Sequence, residues 1–338
     1  MTGERQRAVS LGEGSTPLAP SVSLGPRLGR QLSFKLESCN PTGSYKDRFV
    51  AAEVARLAKA GVKSCLATSS GNTGSSLAAY AARAGITCTI VVNAGAPEGK
   101  VVQMLAHGAR VIRVRGFVTD PNVTRRVMEK LRACGRALVV SAYRHCPDAM
   151  ASAEAIGAEL VSQCAGAAHV FVPVGSGGLY IAVSRGVRAA FATPPRVHAV
   201  QPAGCPTIVG ALDRGARHVT PVHARTKISG LSVPFDIDGT EALRTLVEHG
   251  GLGFAVSDEE VWDAQRAMLA EEGIYCEPAG AAALAGYRRA VRRGIVKPDE
   301  PAVCLVTGHG FKDPESIAAA ASRNPSPEID PEELEQCL

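Results

Sequence analysis

The ten cysteines of this 338-residue chain form no Cys-x-x-Cys pair and no Cys/His cluster at zinc-finger spacing. Scattered singly, they exclude a zinc ribbon or a disulfide framework and are expected to be free, buried thiols. His145-Cys146 is the one His–Cys neighbour pair; adjacent side chains diverge on a helix or a strand, so no metal site is expected. Aromatic residues are scarce, at 4%, and the net charge of +5 contains no long run of Lys or Arg, so nucleic acid is not an expected partner. No apolar stretch approaches the roughly 18 residues that span a bilayer. Residues 1–5 lack the apolar segment of a secretory signal, so the chain reads as cytoplasmic, without a membrane partner.

What is present is ample core material. Hydrophobic residues make up 46% and charged residues 20%, the balance of a globular protein long enough for two domains. Residues 32–37 alternate apolar and polar, which is the strand period. From there the sequence repeats one unit: helix over 49–60, strand 64–68, helix 75–84, strand 86–92, helix 98–106, strand 110–114, helix 122–132 and strand 137–141. A helix over 149–164, strand 169–174, helix 179–191 and strand 196–201 continue it. Strands alternating with helices of about ten residues predict an α/β fold built on wound, mostly parallel sheets. Residues 202–253 are too rich in Gly, Pro and Thr for elements to be placed. The pattern returns at Ser257, a helix cap followed by three acids, and runs through helices 257–272 and 279–293 to a buried strand at 302–307. Residues 324–338 read as a solvated tail.

Three small-residue turns follow apolar runs, at 69–74 (Ser-Ser-Gly-Asn-Thr-Gly), 175–179 (Gly-Ser-Gly-Gly-Leu) and 308–310 (Gly-His-Gly). Ligands of wound sheets sit at the carboxyl ends of the strands, where these turns fall. The turn at 175–179 presents backbone N–H groups and a helix N-terminus to an anion. A dinucleotide site would start the same way, but Tyr180 takes the place of its third glycine and residues 197–203 contain no acid to hold a ribose. A phosphate monoester fits better. Residues 40–48 (Asn-Pro-Thr-Gly-Ser-Tyr-Lys-Asp-Arg) set a lysine where a loop becomes a helix. Taken alone, such a lysine is a solvated charge; beside two glycine turns, Lys46 is the candidate to form a Schiff base with an aldehyde cofactor.

With residues 12–18, 35–48, 69–85, 172–179, 257–260, 277–279 and 306–313, the chain resembles the fold type II pyridoxal-phosphate enzymes, threonine synthase-like members among them. The Lys46 motif and the closing Thr-Gly-His-Gly-x-Lys-Asp at 307–313 carry the narrower likeness. The resemblance implies a tryptophan synthase β-like fold. Residues 45–145 would form a smaller domain; 1–44 and 146–323 would form a larger one that binds pyridoxal 5'-phosphate. It implies that Lys46 holds the cofactor and acts as base, that Asn72 meets the ring hydroxyl, and that Thr307 meets the pyridine nitrogen. Gly175, Ser176, Gly177, Gly178 and Leu179 would hold the phosphate by their amides, and Ser69, Ser70, Gly71 and Thr73 the carboxylate of an amino-acid substrate. A hydroxyl at the pyridine nitrogen does not enforce its protonation, which suits elimination and replacement on the side chain. A homodimer is implied as well.

In threonine synthases a Ser-x-Asn-Pro-x-Arg stretch helps bind the substrate phosphate; here residues 141–146 read Ser-Ala-Tyr-Arg-His-Cys. Cys146 stands where the arginine would, and Arg144 is the expected substitute. The turn at 175–179 also lacks the Asn usual in that subfamily and reads more like that of serine and threonine dehydratases. Despite these two departures, O-phosphohomoserine is the first expected substrate. A serine/threonine dehydratase, a β-replacement synthase making an unusual amino acid, or an inactive protein that keeps the cofactor fold are the alternatives.

Overall fold

The computed structural model describes residues 9–331 apart from 70, 97, 119, 323, 325 and 327, together with residue 334. Ten strands are present among them: β1 (Leu18–Pro20), β2 (Leu32–Lys35), β3 (Ser64–Ala67), β4 (Thr87–Asn93), β5 (Arg110–Val114), β6 (Ala137–Leu138), β7 (His169–Pro173), β8 (Arg196–Pro202), β9 (Gly253–Val256) and β10 (Ala302–Leu305). They form a six-stranded sheet of order β1-β2-β10-β7-β8-β9 and a four-stranded sheet of order β5-β4-β3-β6. Every pairing is parallel except β1 with β2. The α/β fold with two wound, mostly parallel sheets is thus as the sequence predicts, and the smaller sheet draws only on residues between 64 and 138.

The period of two along the central strands explains how the larger sheet is covered. Val170 and Val172 face one hydrophobic cluster with Val303 and Leu305; Phe171 faces another with Ala302 and Cys304. Helices Ala155–Gln163 and Gly178–Ala190 cover the first face, and helix Pro278–Arg292, rich in alanine, packs on the second. The smaller sheet has its own core, in which Phe49 and Leu57 meet Tyr80, Ile90 and Met104. Among the described residues no helix is long and apolar enough to cross a membrane.

The structure departs from the sequence reading in several places: β1 and the helices Leu24–Arg27 and Pro314–Ala321 stand where the sequence marks no element, and the strand expected over 137–141 is only Ala137–Leu138. The single helix expected over 149–164 is broken into Pro147–Ala151, a 3-10 turn at Ser152–Glu154, and Ala155–Gln163. Helix Gly178–Ala190 packs tightly against the break, since a Cβ on Gly186 would collide with the Glu154 carbonyl. The stretch from 202 to 253 holds two helices, Thr207–Asp213 and Gly239–Glu248, and a 3-10 turn at Ser229–Leu231, and ends where β9 begins. The tail expected from residue 324 falls mostly outside the described residues.

Candidate active site

The loop that carries Lys46 is fixed from below by Asp47. Its buried carboxylate accepts from Thr42 N at 2.6 Å, from Thr42 Oγ1 at 2.5 Å and from Ser76 Oγ at 2.6 Å. Burial raises its pKa above the usual carboxylate range, against the pull of those hydrogen bonds. The loop is thereby joined to the first turns of helix Asn72–Arg83, and Lys46 opens helix Lys46–Lys59 in a defined direction. The half-buried Lys46 Nζ donates to Ser141 Oγ at 2.6 Å and lies 4.7 Å from the centre of the Tyr45 ring.

Ser141 brings this amine to the glycine turn after β7. A Cβ on Gly178 would lie 4.0 Å from the Ser141 carbonyl oxygen and 2.8 Å from Met150 Cε. Gly177 has φ +106, and a Cβ there would sit 2.8 Å from the Asp238 carbonyl oxygen, so this turn needs glycine for both its conformation and its neighbours. Helix Gly178–Ala190 begins at once, leaving its first backbone N–H groups without intrahelical partners. Gly175, Ser176, Gly177 and Leu179 line one cavity of about 1340 Å³ together with Lys46; Gly178 is not part of that lining.

The other expected residues converge on the same cavity. Ser69, Gly71, Asn72, Thr73 and Thr307 line it, while Ser70 lies outside the described residues. Asn72 Nδ2 donates to Glu277 Oε1 at 2.7 Å, and the Glu277 backbone N–H donates to the Gly308 carbonyl at 3.1 Å. A Cβ on Gly308 would collide with the Glu277 carboxylate, so the turn after Thr307 must be bare there. Arg144 is placed elsewhere. It is exposed, borders a separate depression of about 410 Å³ with Tyr143 and Arg185, and its backbone N–H donates to Asp238 Oδ1 at 3.1 Å.

The structure adds three residues to the site. Ser141 receives the Lys46 hydrogen bond, although the sequence marks it only as the start of a divergent stretch. Asp238 accepts from Tyr143 N at 2.8 Å as well as from Arg144 N, and its own N–H donates to the Ser176 carbonyl at 3.1 Å. It ties the Ser141 loop to the glycine turn from a region whose elements the sequence does not mark. Burial raises its pKa, and the two backbone donors counter this. Lys312 also lines the cavity and is buried.

An amine at the mouth of a glycine turn, with free helix N–H groups and a polar turn opposite, suits an aldehyde that carries a phosphate. The family model for pyridoxal-phosphate dependent enzymes matches residues 9–308. The chain belongs to this family. Its pyridoxal-phosphate chemistry is of the threonine synthase-like, lyase kind, as its relatives indicate. Threonine synthase of Methanocaldococcus jannaschii is 32% identical over 345 residues, covering 99% of this chain and 84% of that one. Threonine synthase of Methanosarcina acetivorans is 33% identical over 319 residues, covering 91% and 78%. The solved structure of the processed form of threonine deaminase isoform 2 from Solanum lycopersicum superposes with a TM-score of 0.79 at 21% identity, over 96% of this chain and 89% of that one. That last likeness is one of fold.

Proposed function

We propose that the chain eliminates or replaces a group at Cβ or Cγ of an amino acid, with O-phosphohomoserine and water converted to threonine and phosphate as the first reaction to test. The observation that carries this reading is Lys46 Nζ held by Ser141 Oγ at 2.6 Å beside the glycine turn and within one cavity with Asn72 and Thr307. The residues present fit pyridoxal phosphate: Gly175, Ser176, Gly177 and Leu179 line the cavity at the start of helix Gly178–Ala190, whose first N–H groups suit a phosphate. Gly175, Ser176, Gly177, Gly178 and Leu179 would hold that phosphate, Asn72 the ring hydroxyl and Thr307 the ring nitrogen. When bound, the cofactor supplies an aldehyde for amines and a sink for the electrons left at Cα.

The chain's own groups then do the rest. Ser69, Gly71 and Thr73 hold the substrate carboxylate, and Ser70 of the same turn is assigned with them. The Lys46 amine, once exchanged for the substrate amine, takes the proton from Cα and returns it later in the cycle. Ser141 Oγ would hold the freed Nζ in place for that proton transfer. In this reading residues 45–145 form the smaller domain, 1–44 and 146–323 the larger one, and the protein acts in the cytoplasm as a homodimer; sedimentation of the purified protein tests the last point.

A second reading, a serine or threonine dehydratase or a β-replacement synthase, is favoured by one observation: Arg144 is outside the cavity. The experiment that separates the two is incubation of the purified protein with O-phosphohomoserine, with phosphate and threonine followed by mass spectrometry. Both products are expected, and Lys46→Ala is expected to abolish them together with the visible absorption of the bound cofactor. Cofactor binding without either product moves the reading to serine, threonine and activated serine esters. A Lys46→Ala protein with full turnover removes Lys46 from the chemistry.

A further inference from the structure

Besides Lys46, the wall of the main cavity contains one buried ammonium. Lys312 ends the 3-10 turn Gly310–Lys312 that follows Thr307, and is only 8% exposed. Its Nζ donates to Gln103 Oε1 at 2.5 Å, and Gln103 Nε2 donates to the Thr42 carbonyl at 3.2 Å. The second bond fixes which way the amide faces, so the first aims the ammonium. Among the described residues Gln103 is its only hydrogen-bond partner.

An ammonium has three N–H donors, and a neutral amide oxygen takes one of them while cancelling no charge. A buried cation left in that state is costly, and burial pushes the Lys312 pKa down against the attraction of Glu277 and Asp47. Neither carboxylate bonds it. Asp47 accepts from Thr42 and Ser76, and Glu277 accepts from Asn72. The other cations of the cavity are committed or remote from its interior: Lys46 is the candidate cofactor lysine, Lys227 is exposed, and Arg266 pairs with Asp263.

We propose that Lys312, aimed by Gln103, is the anion-binding cation of the substrate pocket, its two remaining N–H groups taking an anionic oxygen group of the amino-acid substrate. That group is either the α-carboxylate or a phosphate on the side chain. The inference rests on the proposed function for the substrate being an amino acid, and on the cavity for the rest. It supplies the charge that the placement of Arg144 leaves missing.

The test is binding to the holoenzyme, read from the perturbation of the cofactor's absorption by O-phosphohomoserine, by serine, and by inorganic phosphate as competitor. Lys312→Met is expected to leave the resting absorption intact and to raise the apparent Kd at least tenfold. If the phosphate is the group held, the loss is confined to O-phosphohomoserine, and competition by inorganic phosphate disappears. If the carboxylate is held, serine and O-phosphohomoserine lose alike. Lys312→Arg keeps the charge and is expected to recover part of the affinity in either case. Wild-type affinity for all three ligands in Lys312→Met overturns the proposal. Should Lys312→Met fail to fold, Gln103→Leu keeps the ammonium and removes the oxygen that aims it. A several-fold weaker affinity then supports the proposal and unaltered binding overturns it. Phosphate that competes in the wild type but not in Lys312→Met, in a protein that turns over no amino acid, would sink the proposed function and leave standing only the anion site at Lys312.

Discussion

Asp238 shows how much a single side chain outside the motifs can decide. Its carboxylate receives the backbone N–H groups of Tyr143 and Arg144, and its backbone N–H reaches Ser176, so the loop that holds Lys46 through Ser141 and the glycine turn share one support. Without the carboxylate, two partly buried N–H groups lose their acceptor, and each such bond to a charged group contributes about 1.5–3 kcal/mol. Part of that loss falls on folding and part on the arrangement of the cofactor site. Asp238→Ala is therefore expected to weaken the affinity for pyridoxal phosphate by about ten- to a hundredfold, on the scale of roughly 1.4 kcal/mol per factor of ten. Titration of the visible absorption against cofactor concentration measures it. Asp238→Asn, which keeps one acceptor oxygen, is expected to fall between the two. An unchanged affinity in Asp238→Ala would show that the two loops hold their places without it.

At the scale of elements, helix Ala155–Gln163 anchors the entry to the lysine helix through Glu159. Its carboxylate takes Lys35 Nζ at 2.5 Å, Arg48 Nη1 at 2.7 Å and the Ser15 N–H at 2.9 Å, and Arg48 is also held by Glu37 at 2.8 Å. Burial works against the Glu159 charge, but the hydrogen bonds from Arg48 and Lys35 outweigh it and hold the pKa down at about 2. Glu159→Gln leaves two buried cations facing one carboxylate. Breaking a buried pair costs about 3–5 kcal/mol, and the 17% exposure of this side chain puts the expected loss toward or below the lower end. Urea denaturation is the check, and a loss under 1 kcal/mol would mean that water replaces the missing charge.

This network was not legible in the sequence, because Glu159, Lys35 and Arg48 come together only when β2, the lysine helix and a later helix pack. The alternating strands and helices were legible, since each buries one face and carries that period locally. So was the convergence of Lys46, Asn72, Gly175 and Thr307 on one cavity, because wound sheets bring their strand ends together. Helix Thr207–Asp213 was not. Its first N–H groups, those of Ile208 and Val209, are met at 2.8 and 2.9 Å by Gln201 Oε1 from the end of β8, so no capping residue stands at its own start. The outward placement of Arg144 was hidden for a similar reason: Asp238, almost a hundred positions away in sequence, sets that loop.

For the molecule as a whole, the strongest consequence lies in how stability depends on pH. A chain of hydrogen bonds crosses the larger sheet near the start of its strands: His198 Nδ1 accepts from Leu252 N at 3.1 Å, so its Nε2 carries the proton and donates to His169 Nδ1 at 2.9 Å, and His169 Nε2–H reaches Glu300 at 3.1 Å. Both imidazoles are fully buried beside Phe171. Burial first, then the neighbouring His169 and Arg196, hold the His198 pKa at about 3, against 6.5 for an ordinary histidine; His169 is lowered for the same first reason. Between those values the unfolded chain binds a proton at His198 that the folded chain refuses. The stabilisation is therefore complete above pH 6.5 and falls as the pH drops toward 3, by up to about 1.4 kcal/mol per pH unit from His198 alone. About 2 kcal/mol is expected to be lost between pH 6.5 and 5, with His169 adding in the same direction. Below pH 4.5 the Glu159 contribution begins to fade as well, because its folded pKa is depressed to about 2. Urea midpoints at pH 8, 6.5, 5 and 4 should then trace a plateau followed by a decline that steepens in acid. His198→Gln, which cannot titrate, is expected to be less stable at pH 8 but to show a shallower decline between 6.5 and 5. A wild-type protein equally stable at pH 8 and pH 5 would mean that the two imidazoles take up protons in the folded sheet, with Glu300 as the counter-charge.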